Sequence, residues 1–309
     1  MSPTDYSKFT SDYYVKSALA GGICCSITHG AVCPVDVVKT RMQLNPAKYN
    51  DGMMGGFRKV IAEEGAGALS TGLGATAIGY FIQGWFKFGG VELFKIQAAK
   101  AVGEEKAWEN RTAIYLGSAA GAEFIADCFL CPLEACRIRG VSDPSYGSSL
   151  GAVAGRLMKE EGLVRGFYSG FGPILFKQVP YTMAKFAVQG RTSESMYNSL
   201  GKTAAQCGAG LNLGVALSSG VVAGVVAALI SHPADTLLSK VNKAGAGGDG
   251  SIVSRMMNIT TETGVVKLCT QGLGARCVMI GTLTALQFGI FDSVMGALGV
   301  SKFHFHKPS

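Results

Sequence analysis

A nine-residue motif occurs three times in this chain and determines its organisation. The copies begin with a Cys-Pro or His-Pro pair and read CPVDVVKTR at 33–41, CPLEACRIR at 131–139 and HPADTLLSK at 232–240. A second segment follows each copy at a nearly constant distance and ends at Gly72, Gly170 or Gly272. Since the copies recur about every 100 residues, the chain is a threefold repeat, and its fold must be built from three equivalent units.

Composition favours a membrane protein over a water-soluble enzyme. Hydrophobic residues make up 48% of the 309 residues, charged residues make up only 16%, and the mean hydropathy is positive. Each repeat contains two apolar segments long enough to cross about 30 Å of hydrocarbon. The first segments are predicted at 15–42, 112–140 and 212–242. The second segments are predicted at 72–98, 170–195 and 273–297.

A shorter segment between the two spans of each repeat mixes apolar and charged residues at helical spacing. These segments, at 53–63, 149–160 and 251–262, are typical of helices that lie along a membrane surface. The polar start contains acids, so we expect internal targeting information and not an N-terminal signal. The sequence therefore predicts one all-α transmembrane domain over 1–309, with six transmembrane helices in three pseudosymmetric repeats at about 13–100, 110–198 and 210–300.

The second copy of the motif brings charge into a predicted span. Glu134 and Arg137 follow directly after the apolar run IYLGSAAGAEFIADCFL. A charged side chain near the bilayer centre costs roughly 3 kcal/mol, so these residues need a partner or a water-filled cavity. The net charge of +7 agrees with an anionic substrate for such a cavity.

Comparison of the repeats separates structural positions from functional ones, because an asymmetric substrate needs residues that differ between repeats. One equivalent position is small in every repeat, which predicts helix packing: Gly21, Ala119 and Gly220. Two other equivalent positions hold ionisable residues where another repeat has a small residue. These are Glu123 at one position, and His29 and Asp127 at the other. Such intramembrane groups are typical of proton relays, and we assign these three to proton coupling. A purely structural role for them is the alternative interpretation.

The second apolar helices carry polar residues along one face. In the first repeat these are Thr76, Tyr80, Gln83, Lys87 and Lys95. In the second they are Gln178, Tyr181, Thr182 and Lys185, and in the third Gln287 stands where the other repeats have Lys87 and Lys185. Lysine supplies charge and the other side chains supply hydrogen bonds, a combination suited to an oxyanion. We therefore predict substrate binding by Thr76, Tyr80, Gln83, Lys87, Gln178, Tyr181, Thr182, Lys185 and Gln287.

The repeated motif resembles that of the mitochondrial carrier family. The shared pattern is Pro-x-Asp/Glu-x-x-Lys/Arg-x-Lys/Arg, from which the third copy departs at Leu238. With its three copies in register, the resemblance covers essentially the whole chain. Stretches such as SITHGAVCPVDVVKTRMQ and GFGPILFKQVPYTMAKF are similar to the phosphate carriers of that family, especially the fungal ones. The resemblance implies a central cavity that opens alternately to the two sides of the mitochondrial inner membrane.

The resemblance also implies ion pairs that close the matrix side. Carried over to this sequence, Asp36 pairs with Arg137 and Asp235 pairs with Lys39. Glu134 expects a partner at Leu238, which leaves Lys240 as the nearest substitute. The expected matrix gate is therefore Asp36, Lys39, Glu134, Arg137, Asp235 and Lys240.

The family places a second set of charged residues at the cytoplasmic side. Here the first repeat keeps Glu92 and Lys95. The third keeps Asp292 but has Met295 at the basic position, and the second has Gly190 at the acidic position. The resemblance thus implies a cytoplasmic-side gate of Glu92, Lys95 and Asp292 that has fewer ion pairs than usual.

What the resemblance implies for function is import of inorganic phosphate into the matrix together with a proton, or equivalently in exchange for hydroxide. We expect a multi-pass protein of the mitochondrial inner membrane that is not an enzyme. Membrane lipid, including cardiolipin at the matrix-side helix ends, is the expected partner, and we expect no nucleic acid, cofactor or bound metal.

Two alternatives remain open from the residues. A carrier for another small anion, such as a dicarboxylate, should use an arginine fork, and Arg276 is the candidate on the second helices. A thiol-dependent metal transporter would instead use the cysteines Cys24, Cys25, Cys128 and Cys131. Replacement of all four by serine, with metal and phosphate uptake measured, separates the second alternative from phosphate transport.

Overall fold

The described part of the chain is built mainly from α-helices. The computed structural model describes residues 5–44, 47–49, 51–142, 149–241 and 252–305. Its α-helices, in chain order, are α1 (Ser11–Leu44), α2 (Gly52–Glu64), α3 (Leu73–Val102), α4 (Glu104–Glu109), α5 (Arg111–Ser142), α6 (Leu150–Glu160), α7 (Gly162–Tyr168), α8 (Phe171–Ser199), α9 (Ala209–Val241), α10 (Ile252–Thr263), α11 (Val265–Thr270) and α12 (Leu273–Ala297).

Six long helices correspond to the six predicted spans. α1, α5 and α9 are the first spans of the repeats, and α3, α8 and α12 are the second spans. Four stretches of the described residues are long and apolar enough to cross a membrane: Ser11–Met42, Arg111–Val141, Ala209–Leu237 and Val265–Ala297. α3 and α8 have 30 and 29 residues, which is also long enough to cross the hydrocarbon.

The motif prolines lie inside the first span of each repeat. α1 runs through Pro34, α5 through Pro132 and α9 through Pro233. Proline lacks an N–H, so each helix loses one internal hydrogen bond at this point. Transmembrane helices tolerate the loss where neighbouring protein covers the backbone. The bend that the sequence predicts at these prolines stays a prediction.

Short amphipathic helices follow the first spans, as predicted. In α2, Val60 is buried and packs with Val38 and Tyr49. In α6, Val153 and Leu157 are buried against Cys136 and Phe167. α10 is the third such helix and begins at Ile252, so the first residue of its predicted segment, 251, lies outside the described residues.

A glycine with positive φ follows α2 and α10, and another follows the end of α6 closely. Gly65, Gly162 and Gly264 have φ values of 84°, 75° and 79°. An L side chain rarely adopts this region, whereas glycine enters it at little cost. The acid-Gly and Thr-Gly pairs that recur in the three repeats therefore mark the point where the chain turns from the surface helix towards the second span.

The chain divides into two compact units. The first comprises Met1–Cys24, Gly84–Ala126 and Pro173–Ser309, and the second comprises Cys25–Gln83 and Asp127–Gly172. In the first unit α9 packs closely on α12. A Cβ atom at Gly220 would lie 2.6 Å from Ala285 Cα, and one at Gly224 would lie 2.7 Å from Gly281 Cα. Backbones this close leave no room for larger residues, so the helix-packing role predicted for Gly220 is confirmed.

Candidate functional site

A buried ion pair joins α3 to α5 in the first unit. Lys87 Nζ lies 3.0 Å from a carboxylate oxygen of Glu123, and the two side chains are only 5% and 0% exposed. Sequence comparison of the repeats assigned Lys87 to the anion and Glu123 to the proton. The structure brings these two residues into direct contact.

The equivalent lysine of the second repeat has a neutral partner. Lys185 donates a hydrogen bond to the side-chain oxygen of Gln287, and both residues are buried. The hydroxyl groups of Tyr181 and Thr284 form one hydrogen bond of 3.3 Å between the same two helices, α8 and α12. Thr182, next to Tyr181, is also fully buried. Five of the predicted substrate residues thus lie in α8 and α12 within one unit, the fifth being Gln178 on α8.

An aromatic cluster lies beside these polar residues in the first unit. It consists of Phe88, Phe186, Phe288 and Phe291 and is held by ring contacts such as Phe88–Phe186 at 4.9 Å and Phe186–Phe288 at 5.5 Å. Lys185 Nζ lies 5.1 Å from the Phe88 ring centre, which is within the range of a cation–π contact. On every second span, the phenylalanine directly follows the position of Lys87, Lys185 or Gln287.

The predicted cytoplasmic-side gate residues lie one turn beyond this aromatic cluster. Glu92 accepts hydrogen bonds from Tyr13 at 2.7 Å and from Lys95 at 2.6 Å, and both Glu92 and Lys95 are buried. Their ion pair therefore joins residues of the same helix, α3. The third predicted residue, Asp292, lies on α12 within electrostatic reach of Lys302.

Sequence reasoning missed a second polar group at this end of the first unit. Tyr115 donates to Glu194 at 2.8 Å, and Arg111 lies 3.4 Å from the same carboxylate. A Cβ atom at Gly190 would lie 2.3 Å from the Tyr115 ring. The ring fills the space that an acid at position 190 would need, and Glu194 supplies the carboxylate one turn further along α8. An acid in a buried stretch of α8 was the available signal.

In the second unit the predicted proton and substrate residues form two contacts. His29 and Tyr80 are stacked, with ring centres 3.6 Å apart and planes at 4°. Gln83 donates to Asp127 at 3.4 Å, and both side chains are fully buried. Thr76 is also buried. His29 and Asp127, the two proton candidates of this unit, therefore each contact a residue predicted to bind the anion.

The matrix-gate candidates of the second unit surround one arginine. Arg137 binds Glu134 through two hydrogen bonds, of 2.8 and 2.5 Å, and lies 3.8 Å from Asp36, its expected partner. Such a forked contact suits the planar guanidinium. Glu134, whose expected partner position holds Leu238, thus has a basic partner within its own helix. The Leu238 side chain lies outside the described part of the chain, and the role of Lys240 stays a prediction.

The third motif acid has two basic neighbours in the first unit. Asp235 pairs with Arg276, which also donates to Ser231, and lies 3.5 Å from Lys177. The pairing of Asp235 with Lys39 stays a prediction. Arg276, the candidate for a carboxylate fork, is engaged by Asp235 in this structure.

The cysteines behave as small buried residues where their contacts are described. Cys24 donates to the carbonyl of Gly21, and Cys131 donates to the carbonyl of Phe167. Among the described residues, no cluster of three or more histidine, cysteine or acidic side chains is placed to hold a metal ion. Both thiols thus donate to backbone carbonyls, Cys24 within its own helix and Cys131 to a residue of α7.

Comparison with known proteins identifies the family. The family model described as mitochondrial carrier protein matches three times, at residues 10–100, 109–200 and 210–302. The chain belongs to the mitochondrial carrier family. It is 50% identical to the Dictyostelium discoideum mitochondrial substrate carrier family protein N over 94% of this chain and 97% of that protein.

Two further relatives have names that state a substrate or a class. The chain is 44% identical to a Caenorhabditis elegans mitochondrial phosphate carrier protein, over 94% of this chain and 83% of that one. It is 42% identical to human solute carrier family 25 member 3, over 91% of this chain and 75% of that one.

Family membership confirms several expectations. The fold is the six-span carrier fold built from three repeats, and the family is one of transporters. The chain is a multi-pass protein of the mitochondrial inner membrane. The two long helices outside that set of four apolar stretches, α3 and α8, are therefore membrane helices as well, and they carry buried polar side chains such as Gln83 and Lys185.

Proposed function

We propose that this chain imports inorganic phosphate into the mitochondrial matrix together with a proton, which is equivalent to exchange for hydroxide. Relatives at 40–44% identity carry phosphate-carrier names, and they support the substrate. The observation that carries the coupling is the buried ion pair of Lys87 and Glu123. No covalent chemistry is needed, so the protein acts as a carrier and not as an enzyme.

The ion pair links phosphate binding to proton binding through charge balance. In the empty protein the charges of Lys87 and Glu123 cancel, and a net charge in this buried place is costly. Phosphate that binds Lys87 must displace Glu123, which leaves a carboxylate without its partner. A proton on Glu123 removes that charge. The loaded site, with lysine, monovalent phosphate and neutral glutamic acid, is then as neutral as the empty one.

The other polar residues would fix the orientation of the anion. Lys185 holds a neutral partner, Gln287, so it can exchange that hydrogen bond for phosphate without leaving an unpaired charge. Tyr181 and Thr284 offer hydroxyl groups on the same helices. His29 and Asp127 are the further proton candidates, and within the second unit they contact Tyr80 and Gln83, which are predicted to bind the anion.

The pairing of Arg276 weighs against the dicarboxylate alternative. A dicarboxylate carrier should prefer a guanidinium that is available to form a forked contact with a carboxylate. Arg276 already binds Asp235 and Ser231, and release would leave Asp235 with a more distant lysine. Phosphate would leave the Arg276–Asp235 pair intact. The pair that it does break, Lys87 with Glu123, is compensated by the proton that Glu123 takes up.

The test is uptake of labelled phosphate by liposomes that contain the purified protein, with and without an inward proton gradient. The wild-type protein should take up phosphate faster with the gradient. Glu123→Gln, which mimics the neutral acid, should still take up phosphate but lose the response to the gradient. Glu109→Gln, an exposed acid of α4, is the matched control and should behave like the wild type.

Each result separates one part of the proposal. Uptake of a dicarboxylate in preference to phosphate would overturn the substrate. Phosphate uptake that ignores the gradient in the wild type would overturn the coupling. If Glu123→Gln still responds to the gradient, another residue binds the coupled proton. Asp127→Asn and His29→Gln would then be measured in the same way.

A further inference from the structure

The residues that follow α12 are buried in the first unit. Lys302, Phe303, His304 and Phe305 are 8%, 4%, 6% and 5% exposed. We call these four residues the C-terminal segment. A lysine and a histidine are rarely buried without specific partners, so the burial itself indicates a built contact.

The backbone of the segment binds the predicted cytoplasmic-side gate. Phe303 N–H donates to Glu92 at 3.1 Å and lies 3.2 Å from the Tyr13 hydroxyl. Lys95 donates to the Phe303 carbonyl at 2.8 Å. The N–H and the carbonyl of Phe303 are therefore both bound by charged side chains, those of Glu92 and Lys95. Hydrogen bonds with charged groups are stronger than those between neutral ones.

Side chains of the segment reach the other helices of the first unit. Lys302 donates to Gln189 on α8, lies within electrostatic reach of Asp292, and has its Nζ atom 4.8 Å from the Phe288 ring centre. The Phe305 ring contacts Tyr115 of α5 at 5.3 Å. With Tyr13 of α1 and Glu92 of α3, the segment contacts spans of all three repeats.

Lys302 supplies the positive charge near Asp292 that Met295 cannot supply. The family pattern expects a basic residue at Met295, close to Asp292, and Met295 is apolar and buried. Lys302 lies beyond α12, brings a positive charge near Asp292 and donates a hydrogen bond to Gln189. The outer end of the first unit thus keeps its charge balance by means of a residue that lies beyond the last span.

We propose that the C-terminal segment is part of the cytoplasmic-side gate, with Lys302 as its missing basic residue, and that it undocks whenever this side opens. The helix ends of three repeats cannot separate while one short segment is bonded to all of them. Undocking exposes Glu92 and Lys95 to water and frees the helix ends. The proposal depends on the carrier fold and on these contacts, and it holds for any anion carried.

The test measures docking and transport separately in the full-length protein. Amide hydrogen exchange of residues 302–305 in lipid nanodiscs reports docking without reference to any substrate. Wild-type protein should protect the Phe303 amide, and Lys302→Gln should lower this protection at least about tenfold. Lys202→Gln, an exposed lysine between α8 and α9, is the matched control and should retain wild-type protection.

Transport by the same variants tests the gate. Undocking favours the outward-open state, so Lys302→Gln should lower the KM for external phosphate and change the maximal rate. Addition of Met295→Lys restores a basic residue near Asp292 and should return both values towards wild type. If wild-type liposomes carry another anion and not phosphate, the same comparison is made with that anion.

Three outcomes overturn the proposal. One is an unprotected Phe303 amide in the wild-type protein. Another is lost protection in Lys302→Gln with unchanged transport, which would make the segment a stabilising contact without a gating role. The third is wild-type protection and transport in Lys302→Gln. Failure of phosphate uptake alone would overturn only the proposed substrate, because exchange still reports the docking.

Discussion

Lys87 and Glu123 neutralise each other across the contact between α3 and α5, with 3.0 Å between their charged atoms. Both side chains are almost completely buried, so water cannot compensate either charge if the other is removed. The charge of Lys87, the candidate for anion binding, therefore cannot be removed without an unfavourable effect on Glu123, the candidate for proton binding, and the reverse also holds. The first prediction follows from it.

Loss of one charge of this pair should destabilise the protein more than loss of both. Lys87→Gln leaves a buried carboxylate and should lower the free energy of unfolding by about 3 kcal/mol. The double variant Lys87→Gln with Glu123→Gln should recover most of that loss. Thermal unfolding of the purified variants measures both. Additive losses in the double variant would show that the pair does not act as a unit.

Loss of the hydrogen-bond acceptor of Lys185 should cost stability and substrate affinity. Gln287→Leu keeps the size of the side chain but removes the oxygen that Lys185 contacts, which should cost about 1.5–3 kcal/mol. Phosphate can still bind Lys185, so its KM should change more than its maximal rate. Unfolding and uptake measure these effects. Gln97→Leu, at an exposed glutamine, is the control, and an equal effect there would contradict the prediction.

Removal of the titratable group of His29 should separate packing from proton movement. His29→Phe can keep the ring stack on Tyr80, whereas His29→Ala loses a contact of about 0.5–1.5 kcal/mol. If His29 carries the proton, His29→Phe should unfold at nearly the wild-type temperature and yet lose the uptake response to a proton gradient. A full response in His29→Phe would assign His29 to packing alone.

A side chain at Gly190 should disrupt the outer end of the first unit. Gly190→Ala places a carbon against the Tyr115 ring and forces the ring from Glu194, at a cost of about 1–3 kcal/mol. Gly117→Ala on α5 meets no atom within 4 Å and should be neutral or slightly stabilising. Thermal unfolding compares the two. Equal stability in both variants would mean that Tyr115 moves away without loss.

Docking of the C-terminal segment should strengthen as the pH rises above about 8. Burial lowers the pKa of Lys302 from 10.5 to about 8, against the opposing effect of Asp292 and with a smaller lowering by Lys95; Glu92 and Glu194 are the other acids in range. Below pH 8 Lys302 is charged whether docked or free. Between about pH 8 and pH 10.5, Lys302 has lost its proton in the docked form but keeps it in the free form. Docking therefore becomes more favourable as the pH rises through this range.

The measurement for this prediction is thermal unfolding of wild-type protein and Lys302→Gln between pH 7 and pH 10.5. The stability difference should be constant at the lower end and shift in favour of the wild type through the upper part of the range. A difference that does not vary with pH would show that docking leaves the lysine pKa unchanged.

The repeat pattern predicted the helices because spacing and glycine placement are local properties. Gly65 and Gly220 illustrate this, since a sharp turn and a close helix contact each require glycine whatever the rest of the chain does. The partner of a buried charge is not a local property. Asp235 meets Arg276, and Glu194 meets Tyr115, through helix contacts that a repeat comparison does not reveal. Lys302 lies beyond the third repeat as predicted from the sequence, which ends at about 300, so the comparison of the predicted repeats did not include it.

Glu92 and Lys95 form their hydrogen bonds with Phe303 through its backbone N–H and carbonyl, not through its side chain. Every residue except proline offers the same N–H and carbonyl to Glu92 and Lys95. A substitution at position 303 by any residue except proline therefore leaves both hydrogen bonds available to Glu92 and Lys95, whereas proline removes the one that the N–H donates to Glu92.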